Sequence, residues 1–156
     1  MRRNDREIKE MNEILALLDG TPVLHLGLHD GDYPYIVPLH YGYEKTEEGF
    51  VFYCHSAREG HKLDLITADG RCFVELENNI SQVSGEDNPC MYSSTFASFM
   101  GKGKASLLSS DEEKEHALKV LMAHQTGRNF EFTDKMVKAV TVIAIDVTEY
   151  SVKAKK

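Results

Sequence analysis

The sequence predicts a mainly β fold, a six- to seven-stranded antiparallel β-barrel with peripheral helices. The first observation is that short runs rich in Val, Ile and Tyr alternate with turns that contain Gly and Asp, a pattern typical of consecutive strands. The second is that a doubly wound parallel sheet would need a helix after nearly every strand, and these helices are missing. Because 156 residues suffice for one hydrophobic core, we expect residues 1–156 to form a single domain.

The N-terminal segment predicts a helix of about four turns. Asn4 and Glu7 have the spacing of a capping box, in which two side chains satisfy backbone amides of the first turn. Ile8 and Leu18 belong to an apolar series at helical spacing, and Gly20 follows as a stop signal. We therefore expect the first helix to begin near Asn4 and to end before Gly20.

Residues 22–56 predict three strands in succession. The runs PVLHLGLH, YPYIVPLHYGY and FVFYCHS are separated by the turn signals DGD and TEEG. Pro34 and Pro38 lie in the second run, and proline cannot donate a hydrogen bond to a neighbouring strand. We therefore expect this strand to lie at a sheet edge, at a bulge, or against something other than another strand.

The segment that follows a second helix, which ends at Gly70, predicts more strands. RCFVELE is expected to be a strand, and the polar stretch NNISQVSGEDNP is expected to be a loop. MYSSTFASFM and KGKASLLS predict two runs of strand, separated or bent by Gly101 and Gly103. Bulges are expected where glycine interrupts such a pattern.

The C-terminal third predicts a helix, a loop, a short helix and a final strand. Ser109 and Ser110, followed by Glu112 and Glu113, form a helix start signal. The helix extends to His124, whose position suits the negative end of the helix dipole. The loop QTGRNFEF leads to a short helix near DKMVKAV, and VTVIAIDVTEYSV has the alternation of a long strand.

Composition excludes several classes of function. A net charge of -7 argues against a nucleic-acid partner, which would select a basic surface. No stretch approaches the roughly 18 apolar residues of a membrane span, and MRRNDREIKE does not have the composition of a signal peptide. We therefore expect a cytoplasmic protein without a membrane or nucleic-acid partner, whose three cysteines are reduced.

The seven histidines do not predict a metal site. The sequence contains no HExxH motif and no paired His and carboxylate spacing. His25 and His29 lie in a predicted strand, where residues four apart are about 13 Å from each other at roughly 3.3 Å per residue. They cannot share one ion, and our expectation is that no metal is bound.

The segment CHSAREGHK, residues 54–62, is the candidate for ligand chemistry. It places Arg58, His61 and Lys62 at the start of a predicted helix, where cations are unfavourable by about 0.3–1 kcal/mol each. A phosphate there could use free amides, the Ser56 hydroxyl and the Lys62 ammonium together. The alternative is an ordinary helix start, because Ser56 and Glu59 also have capping-box spacing.

The order of five segments along nearly the whole chain resembles the pyridoxamine phosphate oxidase-like, FMN-binding split-barrel superfamily. These segments are MRRNDREI, YIVPLHYGY, FYCHSAREGHK, CMYSSTFASFMGKGKA and LMAHQTGRNFEF. Within the superfamily the sequence is most similar to nitroimidazole-resistance (Nim-type) flavoproteins, chiefly through its H-S-A-x-x-G-x-K element. The resemblance implies a split β-barrel that forms a homodimer, with two FMN molecules at the subunit interface.

The resemblance assigns the cofactor contacts to three groups of residues. The first would hold the phosphate and ribityl chain: His55, Ser56, Ala57 and Lys62. The second would run along the isoalloxazine edge with backbone groups: Val37, Pro38, Leu39, His40 and Tyr41. The third is Ser98, on a strand where the family usually has Tyr-Arg-Ser. Ala97 replaces that arginine, so Arg58 or His61 becomes the candidate to supply the missing charge.

The resemblance implies an FMN-dependent oxidoreductase. NAD(P)H or another donor would reduce the flavin, and a small acceptor such as a 5-nitroimidazole would take the electrons. His55 is the candidate catalytic residue, because histidine titrates near neutral pH and can supply or position a proton. A non-enzymatic flavin- or heme-binding carrier or sensor remains the alternative. The Gln125–Phe132 loop would either cover a ring system from a neighbouring subunit or pack on its own barrel.

Overall fold

The computed structural model describes residues 3–155 and contains one sheet of seven antiparallel strands, in the order β2-β1-β5-β6-β7-β4-β3. The strands are β1 (Val23–Asp30), β2 (Tyr33–His40), β3 (Gly42–Lys45), β4 (Phe50–Ser56), β5 (Arg71–Val83), β6 (Ser93–Leu107) and β7 (Thr141–Lys155). The helices are α1 (Met11–Asp19), α2 (His61–Ala68), α3 (Asp111–Thr126) and α4 (Asp134–Lys138), and short 3₁₀ turns span Asn4–Arg6 and Pro89–Met91. The predicted mainly β architecture is confirmed.

The hydrophobic core fills the inside of the curled sheet. Alternate residues of β1 point inward and are fully or almost fully buried, namely Leu24, Leu26 and Leu28. Rings from other strands meet them, and Phe50, Phe52 and Phe99 pack edge to face with centroids 5.6–5.8 Å apart where they contact Phe99. Burial of each such side chain contributes about 1.5–3 kcal/mol, so this core holds the strands at fixed positions around the site.

The strand with two prolines lies at an edge of the sheet, as predicted. β2 pairs with β1 only, and β3 forms the opposite edge. The single run expected over residues 33–43 is divided at Tyr41, which lies between β2 and β3. Its ring turns into the core, where the hydroxyl donates a hydrogen bond to the Leu18 carbonyl at 2.8 Å. The sheet therefore curls without pairing its two edges, which is a split barrel.

The polar segment expected to be a loop is partly a strand. β5 continues through residues 78–83 and pairs with the start of β6, after a bulge at which Asn79 adopts a φ of +57°. Residues 79–83 are exposed on both faces of this arm, so no alternation of apolar and polar residues marks them as strand.

The two strand runs expected around Gly101 and Gly103 form one strand, β6. The pairing with β7 shifts between Lys102 and Gly103, which leaves Thr148 of β7 as the extra residue. The glycine segment therefore bends the strand and does not end it, as the sequence allowed.

The first helix is shorter than predicted. α1 begins at Met11, and no side chain caps it, so the capping box inferred from Asn4 and Glu7 is wrong. The backbone of Glu7 forms an isolated antiparallel β-bridge with that of Lys153, and the Ile8 amide donates a hydrogen bond to the Val152 carbonyl at 2.9 Å. These backbone groups pair with β7, which keeps them out of the helix.

The later helices agree with the sequence. The Ser110 hydroxyl accepts a hydrogen bond from the Glu113 amide at 3.2 Å, and α3 ends at Thr126, followed by Gly127 with a φ of +67°. The Thr133 hydroxyl caps α4 in the same way. α3 packs on β3 and β4, and with α4 it covers one end of the sheet. Within residues 3–155 there is no helix both long and apolar enough to cross a membrane.

His124 lies between two tyrosines at the C-terminal end of α3. Its ring centroid is 4.7 Å from that of Tyr41 and 5.5 Å from that of Tyr43. Burial lowers the pKa of His124, although a contact with the Thr21 carbonyl partly opposes this shift. Packing against the aromatic core therefore outweighs the favourable helix dipole that the sequence suggested.

Replacing Ser110 with alanine should lower the free energy of unfolding by about 1 kcal/mol, because the Glu113 amide loses its acceptor. Chemical denaturation of the whole protein would measure this change. Ser109→Ala is the matched control, because Ser109 is the adjacent exposed serine and precedes the cap. Equal losses in the two variants would contradict the assigned cap.

His124 should make the protein less stable as the pH falls. An unfolded histidine takes up a proton near pH 6.5, whereas the folded state holds the pKa of His124 lower. The contribution of His124 to the free energy of unfolding is therefore fully present above pH 6.5 and decreases as the pH drops below that value. Denaturation midpoints between pH 8 and pH 5 should fall less steeply for His124→Gln than for the native chain. His29→Gln, at an exposed strand position, should follow the native curve.

Candidate functional site

The candidate site lies where β4 ends and α2 begins. β4 continues through Ser56, and α2 begins at His61 after a short loop. Gly60, with a φ of +152°, precedes the helix, and this conformation is one that residues with a Cβ rarely adopt. No side chain caps α2. The capping box inferred from Ser56 and Glu59 is therefore wrong, and Arg58 lies in the loop outside the helix.

Ser56 is the unusual residue of this site. Its side chain is buried, with 5% relative exposure, and its Oγ has no hydrogen-bond partner among the described residues. An unpartnered buried polar group costs about 1–3 kcal/mol. Such a hydroxyl needs a partner from outside these residues, which a bound ligand or a water molecule would supply.

Three basic side chains follow this serine in the turn and the first residues of α2, and two of them have partners. The Arg58 guanidinium donates to the Lys138 carbonyl. The His61 Nε2 lies 2.7 Å from an Asp30 carboxylate oxygen. Lys62 is half-buried, and within residues 3–155 it has no carboxylate at ion-pair distance. Lys62 is therefore the cation that remains for an anion, whereas Arg58 and His61 already have partners.

The backbone adds donors at the same place. The first hydrogen bonds of α2 run from the Leu63 and Asp64 amides to the Gly60 carbonyl. The amides of His61 and Lys62 precede this series, and such groups at a helix N-terminus are free to bind an anion. The start of α2 thus offers amides and an ammonium group at the other end of the short loop that follows Ser56.

The β2 edge lies beside this turn. The rings of Tyr35 and His61 meet edge to face with centroids 5.2 Å apart. Val37 and Leu39 pack against the core, whereas Pro38 and His40 are exposed on the other face. Residues 37–40 therefore offer a ligand the open backbone edge of β2, because their side chains point alternately to opposite faces.

Tyr41 and His55, both assigned to the cofactor, differ in exposure. Tyr41 is fully buried, and its carbonyl accepts a hydrogen bond from the Gln125 side chain at 2.8 Å. His55 is exposed at the end of β4, opposite Val142. His55 is thus placed to meet a ligand with its side chain, and Tyr41 is not.

Ser98 does not join the other assigned residues within one chain. It lies opposite Lys153 near the last residue of β7, whereas Ser56 lies opposite Thr141 at the first. Ser98 is buried with 7% relative exposure, and its Oγ also lacks a partner among the described residues. A second copy of the chain would have to bring Ser98 to the β4–α2 site.

A family model for pyridoxamine 5'-phosphate oxidase matches residues 10–154. The chain belongs to the pyridoxamine 5'-phosphate oxidase family. A search among curated proteins found no match. The matched residues include every α-helix and every strand described above, except Lys155 at the end of β7.

Solved structures with similar folds were also found. A protein from Bacteroides thetaiotaomicron, provisionally named as a 5-nitroimidazole antibiotic resistance protein, is 27% identical with a TM-score of 0.80, over 96% of this chain and 90% of that chain. The flavocytochrome Anf3 from Azotobacter vinelandii is 19% identical with a TM-score of 0.79, over 100% of this chain and 72% of that chain. The FAD and heme binding protein from Mycobacterium smegmatis is 16% identical with a TM-score of 0.80, over 97% and 74%. The last two show the shared fold.

The residues of this family member fit a phosphate-bearing cofactor at the β4–α2 site. A phosphate group accepts hydrogen bonds, and the site offers a buried hydroxyl without a partner, helix amides and an ammonium group. Ser56 and Lys62 therefore offer the donors that a phosphate needs, and their assignment to phosphate binding stays a prediction.

Sequence reasoning missed Asp30 and Tyr35, which fix the orientation of His61. Asp30 is 31 positions away from His61 along the chain, so spacing within a motif could not reveal the contact. The only signal was the DGD turn, which placed an acidic group at the end of β1.

Replacing Ser56 with alanine should leave the free energy of unfolding unchanged or raise it by up to about 1 kcal/mol, because the variant removes a buried hydroxyl that has no partner. Thr21→Val is the matched control. The buried Thr21 hydroxyl donates to the Leu17 carbonyl at 2.7 Å, so its loss should cost about 1 kcal/mol. Denaturation of both variants without added cofactor would test this. A clear loss for Ser56→Ala would mean that Ser56 stabilises the fold itself.

Proposed function

We propose that the chain binds FMN at the β4–α2 site and acts as an FMN-dependent oxidoreductase on a small acceptor. The observation that carries this proposal is the buried, unpartnered hydroxyl of Ser56 beside the start of α2. Membership of the pyridoxamine 5'-phosphate oxidase family supports an oxidoreductase.

The phosphate of FMN is proposed to bind at the start of α2. Ser56 would donate its hydroxyl hydrogen, Lys62 would supply the positive charge, and helix amides would donate further hydrogen bonds. The adjoining loop residue Ala57 is small and exposed, so it leaves space for the ribityl chain. These residues bind and orient the cofactor.

The ring is proposed to lie along the β2 edge. The backbone of Val37, Pro38 and Leu39 borders this edge, and the sheet ends there. Pro38 has no amide hydrogen and cannot donate a backbone hydrogen bond. This part of the edge therefore suits a ligand surface that needs no donor there. Bound FMN would supply the electron transfer, since the protein side chains here cannot carry out redox chemistry.

His55 is proposed to hold a proton near the substrate. It is the exposed imidazole at the end of β4 and immediately precedes Ser56. Histidine exchanges protons near neutral pH, so this position allows it to position or donate a proton when an acceptor is reduced. A nitroaromatic acceptor such as a 5-nitroimidazole is proposed from the name of the Bacteroides thetaiotaomicron protein.

Two copies of the chain are proposed to form the functional unit, with FMN at their interface. The outer face of β1, β2 and β5 carries exposed apolar side chains, including Ile36 at 65% and Phe73 at 39% relative exposure, and the exposed Tyr33 at the start of β2 borders the same cavity. None of α1 to α4 packs over these residues. A second copy would cover this face and bring a second set of residues, including Ser98, to the cofactor.

Protein purified without added cofactor should show the visible absorption of a flavin, and Lys62→Ala should bind FMN about 10–150-fold more weakly. The estimate follows from the value of a charged hydrogen bond, about 1.5–3 kcal/mol, at 1.4 kcal/mol per tenfold. Fluorescence quenching of added FMN would measure the affinity. Lys104→Ala removes the same charge from an exposed position on β6 and should bind FMN as the native chain does. Unchanged affinity in Lys62→Ala would contradict the proposed phosphate site.

Reduction of the purified flavin-bound protein distinguishes an enzyme from a non-enzymatic carrier. Under anaerobic conditions NAD(P)H should bleach the flavin band, and a 5-nitroimidazole should restore it. A flavin band that no donor bleaches would contradict the oxidoreductase, and a Soret band in place of flavin absorption would contradict the proposed cofactor. Sedimentation of the FMN-bound chain should give the mass of a dimer, and a monomer would contradict the shared interface.

A further inference from the structure

A second cluster of chemically active side chains lies away from the β4–α2 site, on the outer face of the sheet. His25 of β1 lies directly opposite Glu75 of β5, and Glu77 follows two residues later on the same face. The His25 Nδ1 is 3.1 Å from a Glu75 carboxylate oxygen and 3.8 Å from a Glu77 carboxylate oxygen. One nitrogen and two carboxylate oxygens thus lie within 4.8 Å of one another.

These separations match the spacing of ligands around a metal ion. Bonds of about 2.0–2.2 Å from zinc to nitrogen and oxygen place tetrahedral ligand atoms roughly 3.3 Å apart. The contact between His25 and Glu75 is already at this spacing. Glu77 is more exposed and would have to move by about half an ångström to reach the spacing of a tetrahedral site. The ligand atoms therefore need only a small adjustment.

The cluster has two carboxylates and no basic partner besides the histidine. Within residues 3–155, neither Glu75 nor Glu77 forms an ion pair with Lys or Arg. Two converging carboxylates repel each other, and a divalent cation between them would remove that repulsion.

A neighbouring serine indicates a missing partner at the same place. Ser98 lies directly opposite Glu77 on β6 and points to the same face of the sheet. Its side chain is more than nine-tenths buried, and its Oγ has no hydrogen-bond partner among the described residues. A water bound to a metal ion at the cluster would give this hydroxyl a partner. The unpartnered Ser98 hydroxyl is therefore a second sign of an absent group beside Glu77. The same hydroxyl is the one that the proposed dimer would bring to the cofactor, so the metal and the cofactor are alternative partners for it.

The cluster also borders open space. A cavity of about 670 Å³ is lined by His25 and Glu75, together with Gly27 and Phe73. Three protein ligands do not complete the coordination of a zinc-like ion, so at least one position would stay open towards this cavity. A small ligand or water could occupy that position.

We propose that His25, Glu75 and Glu77 bind one divalent first-row transition-metal ion per chain, through one imidazole nitrogen and two carboxylate oxygens. The imidazole selects zinc, nickel, cobalt or copper over magnesium and calcium, which prefer oxygen ligands alone. The backbone that carries these ligands is fixed, because inward neighbours of His25 and Glu75 such as Leu26 and Val74 are fully buried. All three ligands come from one chain, so the proposal does not need FMN to be bound, and the site lies on the face that a second copy is proposed to cover.

Titration of the full-length, EDTA-treated protein with Zn²⁺ in a calorimeter tests the proposal. One ion should bind per chain, and Glu77→Gln and His25→Ala should each weaken binding by at least about 100-fold, since the loss of a residue that only orients a ligand already costs about 10–100-fold. Glu77→Gln keeps the shape of an exposed side chain, so its folding is not at risk. Titration with Co²⁺ should produce visible absorption bands of a low-coordinate site, and excess Mg²⁺ should not remove them.

Two controls make the result specific. His29→Ala removes a histidine from the same strand and the same face, four positions away. Glu149→Gln removes a carboxylate that already pairs with Lys102 on that face. Both variants should bind Zn²⁺ as the native chain does. Native affinity in Glu77→Gln and His25→Ala, or an equal loss in His29→Ala, would overturn the site.

Discussion

The structure depends on the fact that its sheet cannot close. β2 carries Pro34 and Pro38 and pairs with β1 alone, so one edge of the curled sheet stays open. A strand with two residues that lack amide hydrogens is a poor partner for a further strand. β3, at the other edge, pairs with β4 only. The barrel therefore remains split, and the space at the open edge is where the β4–α2 turn delivers Ser56 and Lys62.

This opening explains why a buried hydroxyl can remain without a partner. In a closed barrel, the end of β4 would have strand neighbours on both sides, and core packing would favour an apolar residue in place of Ser56. The chain instead leaves β4 through a glycine at position 60 and starts α2 with its amides directed at the same region. Phe52 and Cys54, on the same face of β4 as Ser56, are fully buried. The core thus holds the serine in place.

Much of the fold could be predicted from local patterns. Alternating apolar residues identified β1, β4 and β7, and the prolines placed β2 at an edge. Ser110 and Glu113 identified the start of α3, because a cap is a contact between residues three positions apart. The same local rule failed at Ser56 and Glu59 because pairing with Thr141 of β7 extends β4 through the serine. It failed at Asn4 because Ile8 bonds to Val152. Long-range strand pairing overrode the local signal in both cases.

The two candidate sites also differ in whether a local sequence pattern could reveal them. The β4–α2 site is continuous in sequence from His55 to Lys62, so a motif could reveal it, although the partners of Arg58 and His61 lie 80 and 31 positions away.

The His25 cluster has the opposite character, because Glu75 follows 50 positions later on β5, with Glu77 two residues beyond it, and only the register of β1 and β5 brings them to His25. A search for paired spacing in the sequence cannot find such a set. Both sites nevertheless rest on β1, since Asp30 at its end holds His61 and His25 projects from its outer face. The fully buried Leu24 and Leu26 on its inner face fix this strand, so the packing of one strand orients residues of two chemically different sites.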